Sequence, residues 1–493
     1  MPNPAANALV FLSSAAVLVL EILAARLLAP YVGATLETYT AIIGTILAGI
    51  AVGSWLGGKI ADRRDPRTLI APLLIVGGAL GFLAIPLVDL FGGGLRGATA
   101  TTTTVITAVA FFLPAAVLSA VTPSIIKLQL ASLHETGTVV GRLSGISTAG
   151  AIVGTFLTGF VLVGAAPTRI IVRGTALFLI LLGVVVLVRL KGATRLSGGT
   201  AVFVLLAAGA SFLLGHPCEY ESRYYCAYIT ADDEHPSGRA LWLDTLRHSY
   251  VDLDDPTHLE FAYTQLFGDV ADSFRPEGEA VTALHVGGGG FTMPRYLRET
   301  RPGSDHLVLE VDPLLIEISQ DELGLDLRDD IEVATGDARL SVRDAGQDRF
   351  ELVVGDAFGG VSVPWHLATE EFLTDLDASM TADGVLILNV IDYGPRDFLR
   401  AELATVGAVF GHVAVLGPAS RFGPRDQPDG GNVVVVASQA PLDLDAILVE
   451  NRARGGDAAA LSGSELDRFV GDAPVLTDDR SPVDQLLTPL PTN

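Results

Sequence analysis

Lysine and cysteine are the scarce reactive side chains of this 493-residue chain. No lysine occurs after position 215, where all 19 basic residues are arginine. Only two cysteines are present, Cys218 and Cys226, and no CxxC or HxxxH grouping accompanies them. This argues against a zinc site, because structural zinc takes four closely spaced Cys or His ligands. The two cysteines form a disulfide in an oxidising compartment or remain buried thiols in a reducing one, and the sequence leaves both open.

Charged residues are few in the first part of the chain and mostly acidic in the rest. Residues 1–215 hold 6 acidic and 13 basic side chains, whereas residues 216–493 hold 50 acidic and 19 basic ones. This change predicts a domain boundary near Gly215. An acidic surface without lysine indicates a salt-loving source, and attraction of cationic substrates is the alternative. The net charge of −24 argues against nucleic-acid binding.

Long apolar runs occupy most of the first 215 residues. Seven stretches stand out: 7–29, 38–58, 69–91, 103–128, 139–164, 168–190 and 199–215. Most of them exceed the ~18–20 residues that a helix needs to cross a bilayer, and the last is the shortest. The sequence therefore predicts a transmembrane helical domain over 1–215 with about seven spans, with the lipid bilayer as its partner.

Basic residues in two loops predict the orientation in the membrane. They are Lys59, Arg63, Arg64 and Arg67 after the second stretch, and Arg189, Lys191 and Arg195 after the sixth. Cytoplasmic loops carry an excess of Lys and Arg, so both loops and the N-terminus are expected inside. The stretch "GSWLGGKIADRR" also resembles the cytoplasmic second loop of major-facilitator transporters. Seven crossings then place the C-terminal half outside.

Two further features of the apolar half have open interpretations. Glycines spaced four apart lie in the second and fifth stretches: Gly49, Gly53, Gly57, Gly150 and Gly154. This spacing puts small residues on one helix face and predicts close helix packing. Glu21 is an ionisable residue within the first stretch, and it either binds a cationic substrate or pairs with Arg26.

The C-terminal half shows the pattern of an α/β domain. Short alternating runs after 216 predict a small β segment, followed by a helix at 256–272, which together form a domain over 216–280. Buried strand runs then alternate with helical stretches: "TALHVG", "HLVLEV", "IEVATG", "FELVVGDA" and "GVLILNV". This alternation predicts a parallel sheet with crossover helices, a Rossmann-like domain over 281–445. Residues 446–493 are predicted to form an acidic tail.

Candidate binding residues follow four successive strands. A turn of four glycines, Gly287, Gly288, Gly289 and Gly290, stands between the first strand and a helix beginning near Thr292. Glycine turns that open a helix bring backbone N–H groups to a ligand. Glu310 ends the second strand, where an acid accepts ribose hydroxyls. Asp337 ends the third strand, where an adenine amino group would lie, and Asp356 ends the fourth, beside the reactive end of a nucleoside. The alternative for each is a helix cap or a solvated acid. His366 is either a pocket residue or a structural hydrogen-bonding group.

At this point the sequence resembles a known family, the spermidine synthases. The resemblance rests on motifs that occur in order: "ESRYYCAYITADDEHPSGRALWLDTLRHSY", "HLEFAYTQLF", "HVGGGGFTMPRYL", "LEVDP", "GDARL" and "VVGDAFGGVSVPWHLATEEF". More narrowly, the chain resembles membrane-fused members with a transporter-like helical half. The resemblance implies a small β domain before a Rossmann-like methyltransferase core. It also implies transfer of an aminopropyl group from decarboxylated S-adenosylmethionine to an amine.

The resemblance also implies roles for single residues. Glu310 would hold the ribose, Asp337 the adenine, and Asp356 would be the catalytic acid that helps to deprotonate the attacking amine. The glycines Gly287–Gly290 would bind the donor.

Five positions depart from the family pattern. Gly290 stands where an acid usually grips the donor amine, and Gly359 where a second acid holds the diamine. Tyr263 and Gln265 belong to the triplet Tyr-Thr-Gln, which replaces Tyr-His-Glu, and His248 replaces a glutamine that faces the donor. By their places in the pattern, His248, Tyr263 and Gln265 are candidate donor-binding residues. The adenosine side is therefore kept, while the amine side is largely lost.

Two functions follow from these observations. The first is a membrane-anchored transferase with a decarboxylated S-adenosylmethionine or S-adenosylmethionine donor and an amine or lipid-like acceptor. The second is a transporter-like protein whose soluble half binds a nucleoside or polyamine without catalysis. Such donors are cytoplasmic, whereas the loop charges place the domain outside. Either the seventh stretch does not cross the membrane, the orientation inferred from the loop charges is inverted, or the ligand is not an S-adenosyl donor. A homodimer is left open.

Overall fold

The structure is a computed structural model that describes residues 3–33, 36–92, 100–130, 136–189, 197–213, 218–360, 362–427 and 429–488. The chain divides into two compact units. The helical unit comprises residues 1–228 with 243–245, and the α/β unit comprises 229–242 with 246–493. Lys191, Arg195 and the predicted boundary residue Gly215 lie outside the described residues.

The helical unit is built from apolar helices. They are α1 (Asn3–Val32), α2 (Leu36–Arg63), α3 (Ile70–Gly92), α4 (Ala100–Thr107), α5 (Leu113–Ser119), α6 (Val121–Gln129), α7 (Thr136–Leu157), α8 (Val163–Ala165), α9 (Thr168–Arg189) and α10 (Gly198–Leu213). Short π-helical turns, Ala108–Phe112 and Thr158–Leu162, continue α4 into α5 and α7 into α8.

Six helical stretches of the described residues are long and apolar enough to cross a membrane. The sixth ends at Arg189, and the seventh predicted span forms the shorter helix α10 of 16 residues. Apolar side chains such as Phe160, Val188 and Leu213 are exposed on the unit's surface. These features are compatible with a multi-pass membrane protein.

The spaced glycines lie at close helix contacts. A Cβ atom added at Gly49, Gly53 or Gly57 would meet the 112–120 segment, and one added at Gly150 or Gly154 would collide with the backbone of α1. Helices α2 and α5, and helices α1 and α7, therefore pack with their backbones close together. This is the small-residue packing that the spacing indicates.

Arg26 pairs with a residue other than Glu21. Its guanidinium lies 3.2 Å from the Glu221 carboxylate and donates to the Thr168 hydroxyl at 3.1 Å. A separation of five residues turns a side chain about 140° around a helix, so Glu21 and Arg26 point in different directions. The predicted alternative of a Glu21–Arg26 pair is therefore wrong.

Cys218 and Cys226 form a disulfide, with their Cα atoms 5.1 Å apart. Of the two states that the sequence leaves open, the structure shows the bonded one. Beside it, the backbone N–H of Cys226 donates to the Asp244 carboxylate at 3.1 Å.

A small four-stranded sheet follows the helical segments, as the alternating runs predict. Its strands are β1 (Tyr220–Glu221), β2 (Cys226–Ala231), β3 (Gly238–Leu243) and β4 (Leu246–Asp252), in this order across the sheet. Helix α11 (Ala262–Phe274) comes next. It begins later than the predicted residue 256, because the Asp252 and Asp255 side chains cap local turns that precede it.

An eight-stranded mixed sheet forms the centre of the α/β unit. Its strands are β5 (Thr282–Val286), β6 (Asp305–Glu310), β7 (Ile331–Thr335), β8 (Phe350–Gly355), β9 (Met380–Asp392), β10 (His412–Gly417), β11 (Gly431–Ser438) and β12 (Ala459–Ser462). The order is β12-β10-β11-β9-β8-β5-β6-β7. The five predicted parallel strands, β5 to β9, are confirmed.

Helices cover both faces of this sheet. They are α11, α12 (Thr292–Thr300), α13 (Pro313–Asp321), α14 (Ala338–Ser341), α15 (Glu370–Ser379), α16 (Asp397–Val409), α17 (Leu444–Ala453), α18 (Gly463–Val470) and α19 (Val483–Leu486). Alternate strand residues divide the core: Leu284 and Val286 pack with α15 and α16, whereas Ala283 packs with α11 and α12.

The C-terminal residues continue the domain. Strand β12 pairs antiparallel with β10, and Leu466 and Phe469 of α18 are buried in the sheet's core. The predicted acidic tail from 446 onward thus differs from the structure. The sequence does not reveal this structure for two reasons. Strand β12 is only four residues long, and the apolar residues after 446 are too widely spaced among acids to show a helical or strand period.

Candidate functional site

The glycine turn has a backbone that glycine alone adopts easily. Gly287 and Gly289 have φ angles of +95° and +51°. The N–H of Gly287 donates to the Leu309 carbonyl at 2.9 Å, which holds the start of the turn against β6. A Cβ atom at Gly287 would lie 2.6 Å from the Asp356 carbonyl oxygen. The turn therefore needs glycine both for its φ angle and for the close approach of the chain after β8.

Glu310 holds this turn through its carboxylate. One oxygen accepts from the N–H groups of Gly288 at 2.8 Å and Gly289 at 3.2 Å, and the other accepts from the Asp312 N–H at 2.8 Å. Burial raises the pKa of the Glu310 carboxyl, while these backbone hydrogen bonds act to lower it. Oε2 already accepts two of these hydrogen bonds and Oε1 accepts one, so about one acceptor site remains, on Oε1, for a ribose hydroxyl.

Asp356 lies directly after β8 and is held by two side chains. Asn389 donates to one carboxylate oxygen at 2.9 Å, and the Tyr263 hydroxyl donates to the other at 3.1 Å. Burial raises the pKa of Asp356 to about 6, against the lowering effect of both hydrogen bonds. An acid with this pKa accepts a proton near neutral pH and is suited to general base catalysis.

A cavity of about 400 Å³ opens beside the glycine turn and Asp356. It is within the range of small-molecule sites, ~300–1,000 Å³. Of the residues predicted to bind ligand, the cavity lining includes Gly287, Gly288, Gly289, His248, Tyr263 and Asp356. The structure therefore brings these six together at the carboxyl end of the parallel strands.

His248 and Tyr263 are both half-buried in this lining. Burial lowers the pKa of His248 to about 4, so its ring is neutral at pH 7. Burial and the nearby Asp356 carboxylate raise the pKa of Tyr263 well above its usual value. Both side chains therefore offer neutral hydrogen-bonding groups to a ligand.

Gln265 and Gly290 are not among the residues that line the cavity. The Gln265 amide donates to the Leu259 carbonyl at 2.8 Å. Two residues along a helix correspond to a rotation of about 200°, which separates Gln265 from Tyr263 on α11. The N–H of Gly290 donates to the Ser249 hydroxyl at 2.9 Å. The structure thus gives both residues contacts away from the predicted ligand position.

Asp337 lies at the end of β7, outside the lining of the cavity. Its carboxylate caps α14 by accepting from the Arg339 N–H at 2.9 Å and lies 3.2 Å from the His366 ring. Both contacts agree with the structural alternative for these two residues. Because 43% of the Asp337 side chain is exposed, it remains accessible, and an adenine contact stays a prediction.

Several cavity residues escaped the sequence analysis. Asn432 and Asn389 form a chain of hydrogen bonds to Asp356. The side-chain amide of Asn432 donates to the side-chain oxygen of Asn389 at 2.9 Å, and the Asn389 amide donates to Asp356. Their signal was a polar residue within the apolar runs "GVLILNV" and "GNVVVV". Arg421 also lines the cavity, from a loop without any recognisable motif.

A second buried acid lies behind this network. Glu402 on α16 is 3% exposed, and its Oε2 atom has no hydrogen-bond partner within the described part of the chain. It lines a small cavity together with Asn389 and Phe372. Burial raises the pKa of Glu402 to about 8. At pH 7 this acid is therefore protonated in the folded protein and ionised in the unfolded one.

Replacing Glu402 with glutamine is expected to remove a pH dependence of stability. Between pH ~4.5 and 8 the folded state holds a proton that the unfolded state has released, so wild-type stability falls as pH rises through this window. At pH 7 the loss is about 3 kcal/mol. Calorimetry of the α/β unit's thermal transition at pH 5 and 8 should show Glu402→Gln stabilised relative to wild type only at pH 8. The exposed Glu450→Gln is the control, and equal shifts in both variants would contradict the prediction.

The arrangement defines a class of protein. A glycine turn after the first parallel strand, an acid at the end of the second and a cavity at the carboxyl ends are the features of Rossmann-like nucleoside-binding domains. The α/β unit has this architecture, with an added antiparallel edge.

Two curated proteins are similar to this chain. A polyamine aminopropyltransferase of Vibrio vulnificus is 31% identical over 140 residues, covering 28% of this chain and 46% of that protein. A "Probable polyamine aminopropyl transferase" of Bifidobacterium longum is 27% identical over 135 residues, covering 27% of this chain and 30% of that protein. The chain thus spans less than half the length of these relatives. Its C-terminal part is homologous to spermidine synthase-like aminopropyltransferases.

A solved structure was also found. A probable spermidine synthase of Corynebacterium glutamicum is 24% identical, covers 54% of this chain and 97% of its own, and superposes with a TM-score of 0.49. No protein-family model matches the chain.

Proposed function

We propose that the α/β unit is a transferase that moves an alkyl group, aminopropyl or methyl, from an S-adenosyl-type donor to an amine. The observation that carries this proposal is the placement of Asp356. Its carboxylate lies beside the glycine turn, in the lining of one cavity, with a pKa of about 6. The homology to aminopropyltransferases supports the same reaction class.

The proposed reaction is a displacement at carbon. The amine nitrogen of the acceptor forms a bond to the carbon next to the donor sulfonium, and that carbon–sulfur bond breaks. With a decarboxylated S-adenosylmethionine donor the leaving group is methylthioadenosine. The nitrogen must be unprotonated to attack, so Asp356 accepts its proton. Before it takes this proton, the ionised Asp356 also attracts the positive sulfonium of the donor into the cavity.

The adenosine part of the donor would lie against the glycine turn. The N–H groups at the start of α12 and the Glu310 carboxylate are the groups that could bind its ribose. Gly287, Gly288 and Gly289 leave the backbone open to such a ligand, and His248 lines the same cavity. Glu310 is 5% exposed and is not among the residues that line the cavity. We keep it as the ribose-binding residue because it lies directly against the glycine turn and its Oε1 atom retains one acceptor site.

Binding of methylthioadenosine tests the adenosine part of this proposal. We expect calorimetry of the full chain in detergent and high salt to show saturable binding of methylthioadenosine or S-adenosylmethionine. An unrelated nucleoside, guanosine, serves as the control because the acids at the strand ends would face different ring substituents. If no adenosine compound gives a binding signal, the transferase proposal fails.

A second function, ligand binding without catalysis, is favoured by one observation. The described residues lining the cavity include a single carboxylate, that of Asp356, and two arginines. This is a poor environment for a diamine. An assay with radiolabelled donor separates the two functions, since a binding protein would retain the donor intact with every acceptor.

The membrane placement is part of the same proposal. Six crossings with the basic loop after α2 inside would return the α/β unit to the cytoplasm, where S-adenosyl donors occur. Helix α10 would span only about 24 Å, less than the ~30 Å of a bilayer core. The Cys218–Cys226 disulfide instead favours an oxidising exterior. Labelling both cysteines with a membrane-impermeant reagent after reduction distinguishes the two sides.

A further inference from the structure

The charge of the cavity does not match a polyamine acceptor. Its lining contains Arg247 and Arg421 but, among the described residues, only Asp356 as an acid. Putrescine at neutral pH carries two ammonium groups. One of them must lose its proton at Asp356, and the other would have to lie in a cavity that offers arginines and no second carboxylate. Like charges in one site disfavour such binding.

Arg247 is already engaged within the protein. Its guanidinium lies 2.9 Å from the Glu260 carboxylate. The same group lies over the rings of Tyr250 and Phe261, at 4.9 Å from each centroid. Arg247 is therefore held by a shorter ion pair and by two aromatic rings, whereas the ion pair of Arg421 with Asp429 is longer, at 3.3 Å. Arg421 is the cation more able to meet a ligand.

Arg421 is built into the cavity wall with unused donors. It lies in the short 3₁₀ helix Ala419–Phe422 after β10. Its guanidinium packs on Gly431, where a Cβ atom would lie 2.8 Å from Nη1 and 2.9 Å from Cζ. Its Nη1 atom lies 3.3 Å from the Asp429 carboxylate as an ion pair without hydrogen-bond geometry, and its buried Nε atom has no hydrogen-bond partner within the described residues. Buried donors of this kind gain most from a charged acceptor.

A short chain of contacts links Arg421 to the proposed base. Gly431, which makes room for the guanidinium, precedes Asn432. The side chain of Asn432 donates to Asn389, and Asn389 donates to Asp356, with both distances 2.9 Å. Because β11 and β9 are paired antiparallel, these residues are fixed side by side on the sheet. Asp356 and Arg421 both line the same cavity, so one small molecule bound there can contact both.

We infer that the acceptor carries an anionic group, a carboxylate or phosphate, which Arg421 binds while the acceptor amine faces Asp356. This inference rests on the proposed transferase function and names its substrate class. An amino acid with a side-chain amine and the phosphoethanolamine group of a lipid share this chemistry. In both, the guanidinium takes the place of the acid that a diamine acceptor would require.

Two matched pairs of acceptors test the inference by calorimetry on the full chain saturated with methylthioadenosine. Ornithine and putrescine differ by one carboxylate, and phosphoethanolamine and ethanolamine differ by one phosphate. We expect the anionic member of at least one pair to bind at least ~10-fold more tightly than its partner. A preference in the first pair points to a free amino acid, and a preference confined to the second points to a phosphorylated headgroup.

Three variants assign the preference to Arg421. Arg421→Gln should abolish it, and Asp429→Asn, which removes the competing carboxylate, should increase it. Arg425→Gln is the control, because Arg425 is exposed and pairs with Asp397 outside the cavity. Retained methylthioadenosine binding shows that each variant is folded, and the uncharged Arg421→Met replaces Arg421→Gln if the latter does not bind it.

Different failures have different meanings. If methylthioadenosine binds and neither pair is discriminated, or if Arg421→Gln keeps the preference, the acceptor inference is overturned while the transferase proposal stands. If methylthioadenosine does not bind the wild-type chain, both fail.

Discussion

Asp356→Asn is expected to lower the rate of group transfer by ~10²–10⁴-fold, the usual contribution of a general base. Asparagine has the same shape, so its oxygen can accept from Asn389 and its amide can donate to the Tyr263 hydroxyl. It lacks the ability to take a proton from an ammonium group. Affinity for methylthioadenosine should therefore change little, and a single-turnover assay beside calorimetry measures both quantities.

The exposed acid Asp344 provides the matched control for this variant. Asp344→Asn removes one negative charge from the same domain at a surface position. It should leave transfer and binding unchanged. If Asp356→Asn instead abolished methylthioadenosine binding, Asp356 would be a ligand-binding residue and the proposed proton transfer would be excluded.

The pH dependence of the transfer rate follows from the same carboxyl group. Burial raises the pKa of Asp356 to about 6, and only the ionised form can accept a proton. The rate should therefore fall as pH is lowered through about 6. Tyr263→Phe removes a hydrogen bond that favours the carboxylate, so it should move this fall to higher pH.

Gly287→Ala is expected to weaken binding of adenosine ligands by more than ~100-fold. Its φ of +95° costs an L-residue roughly 1–2 kcal/mol. The added methyl group would also lie 2.6 Å from the Asp356 carbonyl oxygen and 3.2 Å from the Ala357 Cα. Either the turn or the chain after β8 must move, and both form the cavity. Calorimetry with methylthioadenosine measures the loss.

Gly278→Ala separates the two causes. Gly278 has a similar φ of +76°, but no described atom lies within 4 Å of the position that an added methyl group would take. It should reproduce the backbone strain, which appears as lower thermal stability, while ligand affinity stays at the wild-type value. Equal loss of affinity in both variants would mean that general destabilisation, and not the geometry beside Asp356, explains the result.

The parallel half of the sheet was predictable because its strands are buried on both faces. Continuous apolar runs such as the one before Gly287, each ended by glycine or an acid, identify β5 to β9 in order. The antiparallel edge was not predicted. Strand β11 follows a loop without regular pattern, and β12 is short and pairs with a strand more than forty residues earlier. Local periodicity carries no information on such pairings.

The positions of candidate site residues were predictable where these residues lie at the ends of parallel strands. Asp356 and Glu310 could be found because the carboxyl ends of parallel strands meet at one edge. The roles of Asn389 and Arg421 could not be found, because each depends on antiparallel pairing or on a loop that the sequence does not place. Gln265 does not line the cavity, for a related reason: a motif gives the order of residues, but the helix determines which face each one occupies.

The most direct measurement is the structure of the full chain with methylthioadenosine bound. We predict that the adenosine lies against Gly287–Gly289 with its ribose beside Glu310 and its sulfur facing Asp356. Ligand bound elsewhere on the protein, or bound in the cavity with its sulfur turned away from Asp356, would contradict the proposed transferase site.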